Sequence, residues 1–248
     1  FAVCSSDGDL YVVDAATGKR LHAMKSEQTY VGWVDWSGDG KKLVMGSGDT
    51  AVVWTPETDN KVKLASPKMA LVRSLDINES GTLVVASNWV DGATVFDATT
   101  GKEKFTLPNA IGDRTEALRA YVGAMFVMPN DSSILYCERG GDMVLVDPTT
   151  GKEQRRLKGH TAPVDEFRLN RSKTRLGTHG DDERVLMWDL VSGAQTPLNL
   201  KSDDMPTAAA FGANQDECWV GFMNGELRKY DLRTGGVKSG TLGATTSL

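Results

Sequence analysis

A short dipeptide that ends a strand-like run recurs along this chain at nearly constant intervals. Each copy is an aromatic residue or Val followed by a small polar residue, and successive copies lie 41, 42, 50, 42 and 42 positions apart. The copies are Val13-Asp14, Trp54-Thr55, Phe96-Asp97, Val146-Asp147, Trp188-Asp189 and Tyr230-Asp231. A period near 42 with strand-type alternation restricts the fold to a repeat in which each unit is one small antiparallel sheet.

A second motif, Asp-x-x-Thr-Gly or its Ser variant, starts at the Asp that closes most of these units. The second unit is the exception, because it ends in Thr58-Asp59 and lacks the Gly. An Asp carboxylate can accept N–H groups inside a tight turn, and Gly adopts positive φ without steric cost. The motif therefore predicts a hairpin near the end of each unit. The complete copies begin at Asp14, Asp97, Asp147, Asp189 and Asp231.

A third signal is a polar turn that precedes each of these endings and is expected to follow the innermost strand of its unit. Together the signals predict an all-β chain, a propeller of four-stranded antiparallel blades over residues 1–248. We expect a partial blade at 1–24 and complete blades at 25–64, 65–107, 108–157, 158–200 and 201–242. Because Phe1 aligns with Leu43 and Leu176 at the start of a second strand, we expect a fragment of a longer chain.

The stretch from Gly159 to Asp189 contains the only Gly-His pair and the only Trp-Asp pair of the chain. It resembles a WD40 repeat. The other units resemble degenerate copies of the same repeat, so the resemblance covers essentially the whole chain. By position it implies a structural tetrad of His160, Thr178, Asp182 and Trp188, hydrogen-bonded from the indole through the hydroxyl and imidazole to the carboxylate. A catalytic His-Asp pair is the competing interpretation, disfavoured because no nucleophile accompanies it.

Two features of the third and fourth units suggest a binding surface. Trp89 falls in the loop between the second and third strands of its unit, and about nine extra residues precede the inner strand of the next unit, which accounts for the spacing of 50. In WD40 proteins such loops and connections share one rim that commonly binds partners. We therefore expect a protein or peptide partner at Trp89, Ile111, Arg114, Leu118 and Arg119. Alternatively, Trp89 packs back onto the blade edge and the insertion is neutral.

The resemblance implies a non-catalytic interaction scaffold, with no catalytic, cofactor or metal residues. A quinoprotein-like dehydrogenase is the alternative, since Leu10 to Lys19 also resembles quinoprotein propeller repeats. Those repeats usually carry a docking Trp after Thr-Gly-Lys-x-x, where this chain has His22, Phe105 and Arg155.

A third option is a regulatory segment fused to a kinase or protease. His179 beside Asp181 and Asp182 is discounted as a metal site for want of enough convergent donors.

The amino-acid composition restricts the function and the compartment of the protein less than the repeats restrict its fold. A hydrophobic share of 40% and a net charge of −5 are ordinary for a soluble protein, and the scattered Lys and Arg argue against nucleic acid. Cys4, Cys137 and Cys218 form no CxxC motif, so neither a zinc site nor a disulfide framework is expected. The most apolar stretch, 120–128, is too short to cross a bilayer. The compartment is unknown, with the cytoplasm as default since no signal or membrane segment is present.

Overall fold

A computed structural model of the chain describes residues 1–5, 8–25, 31–66, 72–88, 92–107, 125–138, 140–198, 200, 206–214 and 216–242. These residues form 23 strands in six antiparallel sheets, with one 3-10 turn at Pro129–Asp131. The first sheet has three strands and the other five have four each. The prediction of an all-β propeller with an incomplete first blade is confirmed.

The strands follow one another in chain order within every sheet, each paired antiparallel with the next. The first sheet consists of β1 (Ala2–Cys4), β2 (Leu10–Val13) and β3 (Arg20–Met24). The second consists of β4 (Trp33–Trp36), β5 (Leu43–Ser47), β6 (Thr50–Thr55) and β7 (Asn60–Leu64). The third consists of β8 (Val72–Ile77), β9 (Leu83–Asn88), β10 (Gly92–Asp97) and β11 (Glu103–Leu107).

The second half of the chain repeats the same meander. The fourth sheet consists of β12 (Met125–Val127), β13 (Ser133–Cys137), β14 (Met143–Val146) and β15 (Glu153–Leu157). The fifth consists of β16 (Val164–Leu169), β17 (Arg175–Gly180), β18 (Val185–Asp189) and β19 (Gln195–Pro197). The sixth consists of β20 (Pro206–Phe211), β21 (Glu217–Phe222), β22 (Leu227–Asp231) and β23 (Val237–Leu242).

The Asp-x-x-Thr-Gly motif forms the predicted hairpin between the last two strands of a sheet. In the first sheet Asp14 Oδ1 accepts the Thr17 N–H at 2.8 Å and the Thr17 hydroxyl at 2.7 Å, while Gly18 has φ +69°. Asp97 and Asp147 make the same bonds with Thr100 and Thr150. The motif therefore specifies the turn through local contacts, because the Asp side chain accepts hydrogen bonds from donors within the same turn.

The core lies between consecutive sheets. Val44, Val53 and Leu64 of the second sheet pack against Leu75 and Phe96 of the third. Four further clusters of this kind join the first sheet to the second, the third to the fourth, the fourth to the fifth and the fifth to the sixth. Each sheet is thus stabilised mainly by its neighbours in sequence, as in other repeat proteins.

The tryptophans of the second sheet divide between core and surface. Trp54 is 1% exposed and Trp36 packs against the same cluster, so both are packing residues. Trp33, on the same strand as Trp36, is 39% exposed. An indole buried as deeply as that of Trp54 stabilises the fold by roughly 2 to 3 kcal/mol through its apolar area alone.

Candidate functional site

The four residues of the implied tetrad lie in the fifth sheet and form one chain of side-chain hydrogen bonds. His160 lies in the connection before β16, Thr178 lies on β17, Asp182 follows in the turn after β17, and Trp188 lies on β18. The Trp188 indole N–H donates to Thr178 Oγ1 at 2.9 Å. His160 Nε2 lies 2.8 Å from Thr178 Oγ1, and His160 Nδ1 lies 2.8 Å from Asp182 Oδ1. The structure thus brings all four side chains together.

The direction of each bond follows from what each group can donate. An ionised Asp182 only accepts, so His160 Nδ1 must carry the proton toward it. Thr178 accepts from Trp188 and has one hydroxyl proton. The bare Nε2 of a neutral imidazole, at 2.8 Å, is a nearer acceptor for that proton than Leu186 O at 3.3 Å. The result is one neutral tautomer of His160 with both ring nitrogens engaged, so the ring has no open position for proton transfer to a substrate.

Burial sets the protonation states in this chain. Desolvation lowers the pKa of His160 below its ordinary 6.5, against the opposing effect of the hydrogen bond to Asp182. Burial alone would raise the pKa of Asp182, but the N–H of Thr161 and the His160 ring hold it below its usual range. The pair therefore consists of a carboxylate and a neutral imidazole at neutral pH.

These shifts predict loss of stability in acid. The unfolded state takes up the His160 proton near pH 6.5, above the folded pKa, so the contribution of His160 is present above that pH and declines as the pH falls through it. Asp182 adds to the loss below its ordinary 3.8. We expect the free energy of unfolding to fall by at most about 1.4 kcal/mol per pH unit below that point from His160 alone.

Urea titrations at about pH 7.5, 6.5 and 5.5 would measure this slope. In the His160→Ala variant the contribution of His160 disappears, so its slope should be shallower than that of the parent. Equal slopes in parent and variant would contradict the assigned neutral state.

Glycines around the tetrad admit no side chain. A Cβ on Gly159 would lie 2.6 Å from the Trp188 ring, and one on Gly180 would lie 2.8 Å from His160 Nδ1. The Gly-His pair of the sequence is therefore a packing requirement, since a side chain at position 159 would collide with the indole of Trp188. The Arg184 guanidinium also donates to Gly159 O, a contact that the sequence did not reveal.

The second sheet satisfies its tryptophan in another way. The Trp54 indole N–H donates to Asp59 Oδ1 at 2.9 Å, and Asp59 has φ +54° at the position where the other turns carry Gly. Hydrogen bonds from Lys61 and Trp54 lower the pKa of Asp59. The exception in the turn motif is thus explained, because the Asp that replaces Gly serves as the partner of the indole.

The expected partner-binding residues, Trp89, Ile111, Arg114, Leu118 and Arg119, lie outside the described residues. The strands to which their segments attach are described. Asn88, before Trp89, pairs with Gly92 after it, and Leu107, before the insertion, pairs with Ala93. The residues to which the two segments attach, Asn88, Gly92 and Leu107, therefore lie at the same end of the third sheet.

Other candidate sites are weaker. A cleft of about 210 Å³ between the fifth and sixth sheets is lined by Arg175 and Arg233, but these pair with Asp216 and Asp231 at 3.2 and 3.1 Å. Among the described residues no three His, Cys, Asp or Glu side chains converge as metal ligands. The part of the chain that the structure describes holds no helix long and apolar enough to cross a membrane.

Comparison with known proteins points in one direction. No protein-family model matches the chain. WD repeat-containing protein 90 of Homo sapiens is 26% identical over 111 residues, which is 45% of this chain and 6% of that protein. The guanine nucleotide-binding protein subunit beta of Solanum tuberosum is 24% identical over 212 residues, 82% of this chain and 56% of that protein.

A solved structure shares the fold. The β-propeller domain of Cps50 (Swd1) from Myceliophteria thermophila superimposes with a TM-score of 0.68 over 96% of this chain and 81% of that one, at 16% identity. The relatives in sequence, the solved structure with the same fold and the tetrad of the fifth sheet all indicate the same architecture. The chain is a β-propeller, and it is similar to WD-repeat proteins and to β subunits. This propeller spans about half the length of the β subunits that it matches.

Proposed function

We propose that this WD40-type propeller is a non-catalytic scaffold that binds a protein or peptide. The observation that carries the proposal is the set of WD-repeat and β-subunit relatives on a shared propeller fold, since propellers of this type generally serve as rigid binding frames. We further propose that residues 1–248 act as one domain, and that neither nucleic acid nor membrane is the target, given a net charge of −5 with scattered basic residues.

The polar chemistry of the fifth sheet supports a frame rather than a catalyst. The tetrad engages both nitrogens of His160, and Thr161 N–H takes the second oxygen of Asp182 at 2.9 Å. A general base needs a free nitrogen within reach of a substrate, and none is left on this ring. The network instead rigidifies the sheet, because each of the four tetrad side chains has a hydrogen-bond partner.

For the location of the partner we propose the rim formed by Trp89, Ile111, Arg114, Leu118 and Arg119. Support comes from the strand pairings that place Asn88, Gly92 and Leu107, to which the two segments attach, at one end of the third sheet. Trp and Arg are the residue types most enriched at binding hot spots, and Ile and Leu supply apolar area around them. A surface of this composition suits a partner that presents an apolar anchor flanked by acidic groups.

The test is affinity capture with the full chain as bait in an extract of its natural source. Quantitative mass spectrometry identifies the bound proteins. We compare the parent with a variant that carries Trp89→Ala, Ile111→Ala, Arg114→Ala, Leu118→Ala and Arg119→Ala. Partners that use this rim should be depleted roughly 30-fold or more, since one lost hot spot already amounts to about 2 kcal/mol.

The control variant removes exposed side chains from the hairpin turns, Lys19→Ala, Lys102→Ala and Lys152→Ala, which leave the proposed rim intact. It should retain the captured partners. Equal capture by the five-alanine variant and the parent would refute the rim, while leaving the scaffold proposal in place if specific partners are still bound.

The dehydrogenase alternative gains no support from the structure or from the relatives reported above. A Cβ on Gly151 would meet the Phe105 ring at 2.9 Å, and one on Gly193 would meet Arg155 at 2.5 Å. These side chains therefore fill the contact between one sheet and the turn of the next. Oxidation of an alcohol or amine on addition of quinone and calcium would overturn the scaffold proposal.

A further inference from the structure

The turns that follow the inner strands contact one another from sheet to sheet. The Asp39 N–H of the second sheet donates to Glu79 O of the third at 2.9 Å. The Glu79 N–H donates in turn to Oδ2 of Asp131 in the fourth sheet. Lys173 Nζ of the fifth sheet donates to Oδ1 of the same carboxylate at 2.6 Å. One side chain, that of Asp131, therefore joins the third, fourth and fifth sheets.

The turns of the second, third and fifth sheets are also fixed by a polar side chain of their own. In each of them, the residue that directly follows the inner strand accepts backbone N–H groups from the end of the same turn. Ser37, Asn78 and Asn170 are these residues. Such contacts are local, so they hold a turn whether or not the neighbouring sheets are in place.

The turn of the fourth sheet begins differently. Met128 directly follows β12, and its side chain makes no capping hydrogen bond. The Met128 N–H instead donates to Lys173 O of the fifth sheet at 2.9 Å. This turn is therefore held from outside at two places, through the backbone of Met128 and through the side chain of Asp131.

The same turn is strained. Among the residues that the structure describes, six non-glycine residues have positive φ, and three of them are Met128, Asn130 and Asp131. Met128 has φ 69° and ψ 158°, a region that is occupied almost only by glycine. Asp131 has φ 51° at the position equivalent to Gly81 of the third sheet, whose φ is 64°. Backbone strain of this kind persists only where the surroundings hold it.

Burial makes the two contacts of Asp131 depend on each other. The Asp131 side chain is 2% exposed, whereas that of Lys173 is 38% exposed. A carboxylate removed from water needs donors for both of its oxygens. The third sheet supplies one donor, the Glu79 N–H, and the fifth supplies the other, Lys173 Nζ. Loss of either donor leaves a buried charge with too few partners, so the contacts of Asp131 with Glu79 and Lys173 act as one clamp.

We propose that the inner turn of the fourth sheet, residues 128–132, is a clamped opening point of the propeller. The third and fifth sheets hold it in its strained conformation through the Asp131 clamp. Breaking the clamp releases this turn and β12 as a local unit while the other sheets stay folded.

The short length of β12 makes it the strand to be released. It has three residues, and outside its own sheet the Phe126 N–H donates to Asp76 Oδ2 at 2.6 Å. Release of β12 turns β13 into an edge strand with open N–H and C=O groups, the kind of edge to which an extended segment adds. This inference is independent of the proposed partner rim.

The experiment is amide hydrogen exchange of the full chain, measured by NMR for the parent and for Asp131→Asn. The amide side chain keeps an acceptor for Glu79 but loses the charge that holds Lys173. Exchange at Met128 and Phe126 should accelerate roughly 10- to 100-fold, the loss expected for one hydrogen bond to a charged group. Exchange at Thr82 and Arg175 should stay as in the parent, because their acceptors belong to their own turns.

Asp39→Asn is the matched control. Asp39 lies in the equivalent turn of the second sheet, and its carboxylate accepts from Ser37 Oγ and the Lys41 N–H within that turn. This variant should leave exchange at Met128 and Phe126 unchanged.

Two further variants separate the strain from the clamp. Asp131→Gly and Asp131→Ala both remove the carboxylate, but only glycine adopts positive φ without steric cost. Exchange at Met128 should therefore be roughly 5- to 30-fold faster in the Ala variant than in the Gly variant. Equal rates in the two would overturn the assigned strain.

Unchanged exchange at Met128 and Phe126 in Asp131→Asn, or the same acceleration in all six sheets, overturns the opening point. Should the Asp131 variants fail to fold, Lys173→Ala removes only the partly exposed half of the clamp. Acceleration confined to Met128 and Phe126 in that variant supports the proposal, and unchanged or uniform exchange refutes it.

Discussion

Replacing His160 with Ala is expected to destabilise the propeller by about 2 to 4 kcal/mol, because it removes the imidazole N–H from the buried carboxylate of Asp182, which keeps only its backbone donors, and it also leaves a cavity. The side chain of His160 is 0% exposed and that of Asp182 is 6% exposed. The substitution also removes the nearer acceptor of the Thr178 hydroxyl, which leaves Leu186 O at 3.3 Å as its acceptor. Urea unfolding at about pH 7.5, followed by tryptophan fluorescence, measures the effect directly.

His22→Ala is the matched control among the three histidines of the chain. His22 pairs with Glu57 at 3.3 Å, but the Glu57 side chain is 80% exposed. Exposed pairs of this kind contribute little, so we expect a loss below about 1 kcal/mol. A His160→Ala variant no less stable than His22→Ala would show that the tetrad does not hold the fifth sheet together.

Replacing Gly101 with Ala is expected to destabilise the chain by about 3 kcal/mol. Gly101 has φ +71°, where a Cβ is unfavourable by about 1 to 2 kcal/mol. Its Cβ would also lie 2.2 Å from the carbonyl oxygen of Lys63, and backbone cannot move aside as a flexible side chain would. Gly101 O accepts the Ala65 N–H at 3.0 Å, so the clash falls where the third sheet meets the second.

Gly18→Ala separates the two causes. Gly18 occupies the same place in its turn with φ +69°, and a Cβ there meets nothing within 4 Å. The Gly18→Ala variant should lose only the stability that a Cβ at positive φ costs, about 1 to 2 kcal/mol. Thermal or urea unfolding of the two variants side by side gives the difference, and equal losses would mean that the contact with Lys63 yields without strain.

The sequence by itself determined the period, the strand order and the hairpin chemistry. Asp14 and Thr17 bond within a few residues of each other, so their turn is encoded locally and repeats wherever the motif does. The same holds for Asn78 and Asn170, whose side chains accept N–H groups four and five residues ahead. Tetrad positions could be placed because the fifth unit carries the full Gly-His and Trp-Asp pattern.

Only the tertiary structure decided the contacts between sheets. Gly18 and Gly101 belong to the same motif with the same φ, yet only Gly101 lies against a neighbouring backbone. Asp35 and Asp76 stand 41 positions apart, one repeat, but nothing in that spacing shows that each accepts a backbone N–H from the sheet that follows its own. The reason is physical: turns are satisfied by their own residues, whereas inter-sheet contacts depend on the angle at which separately folded sheets meet.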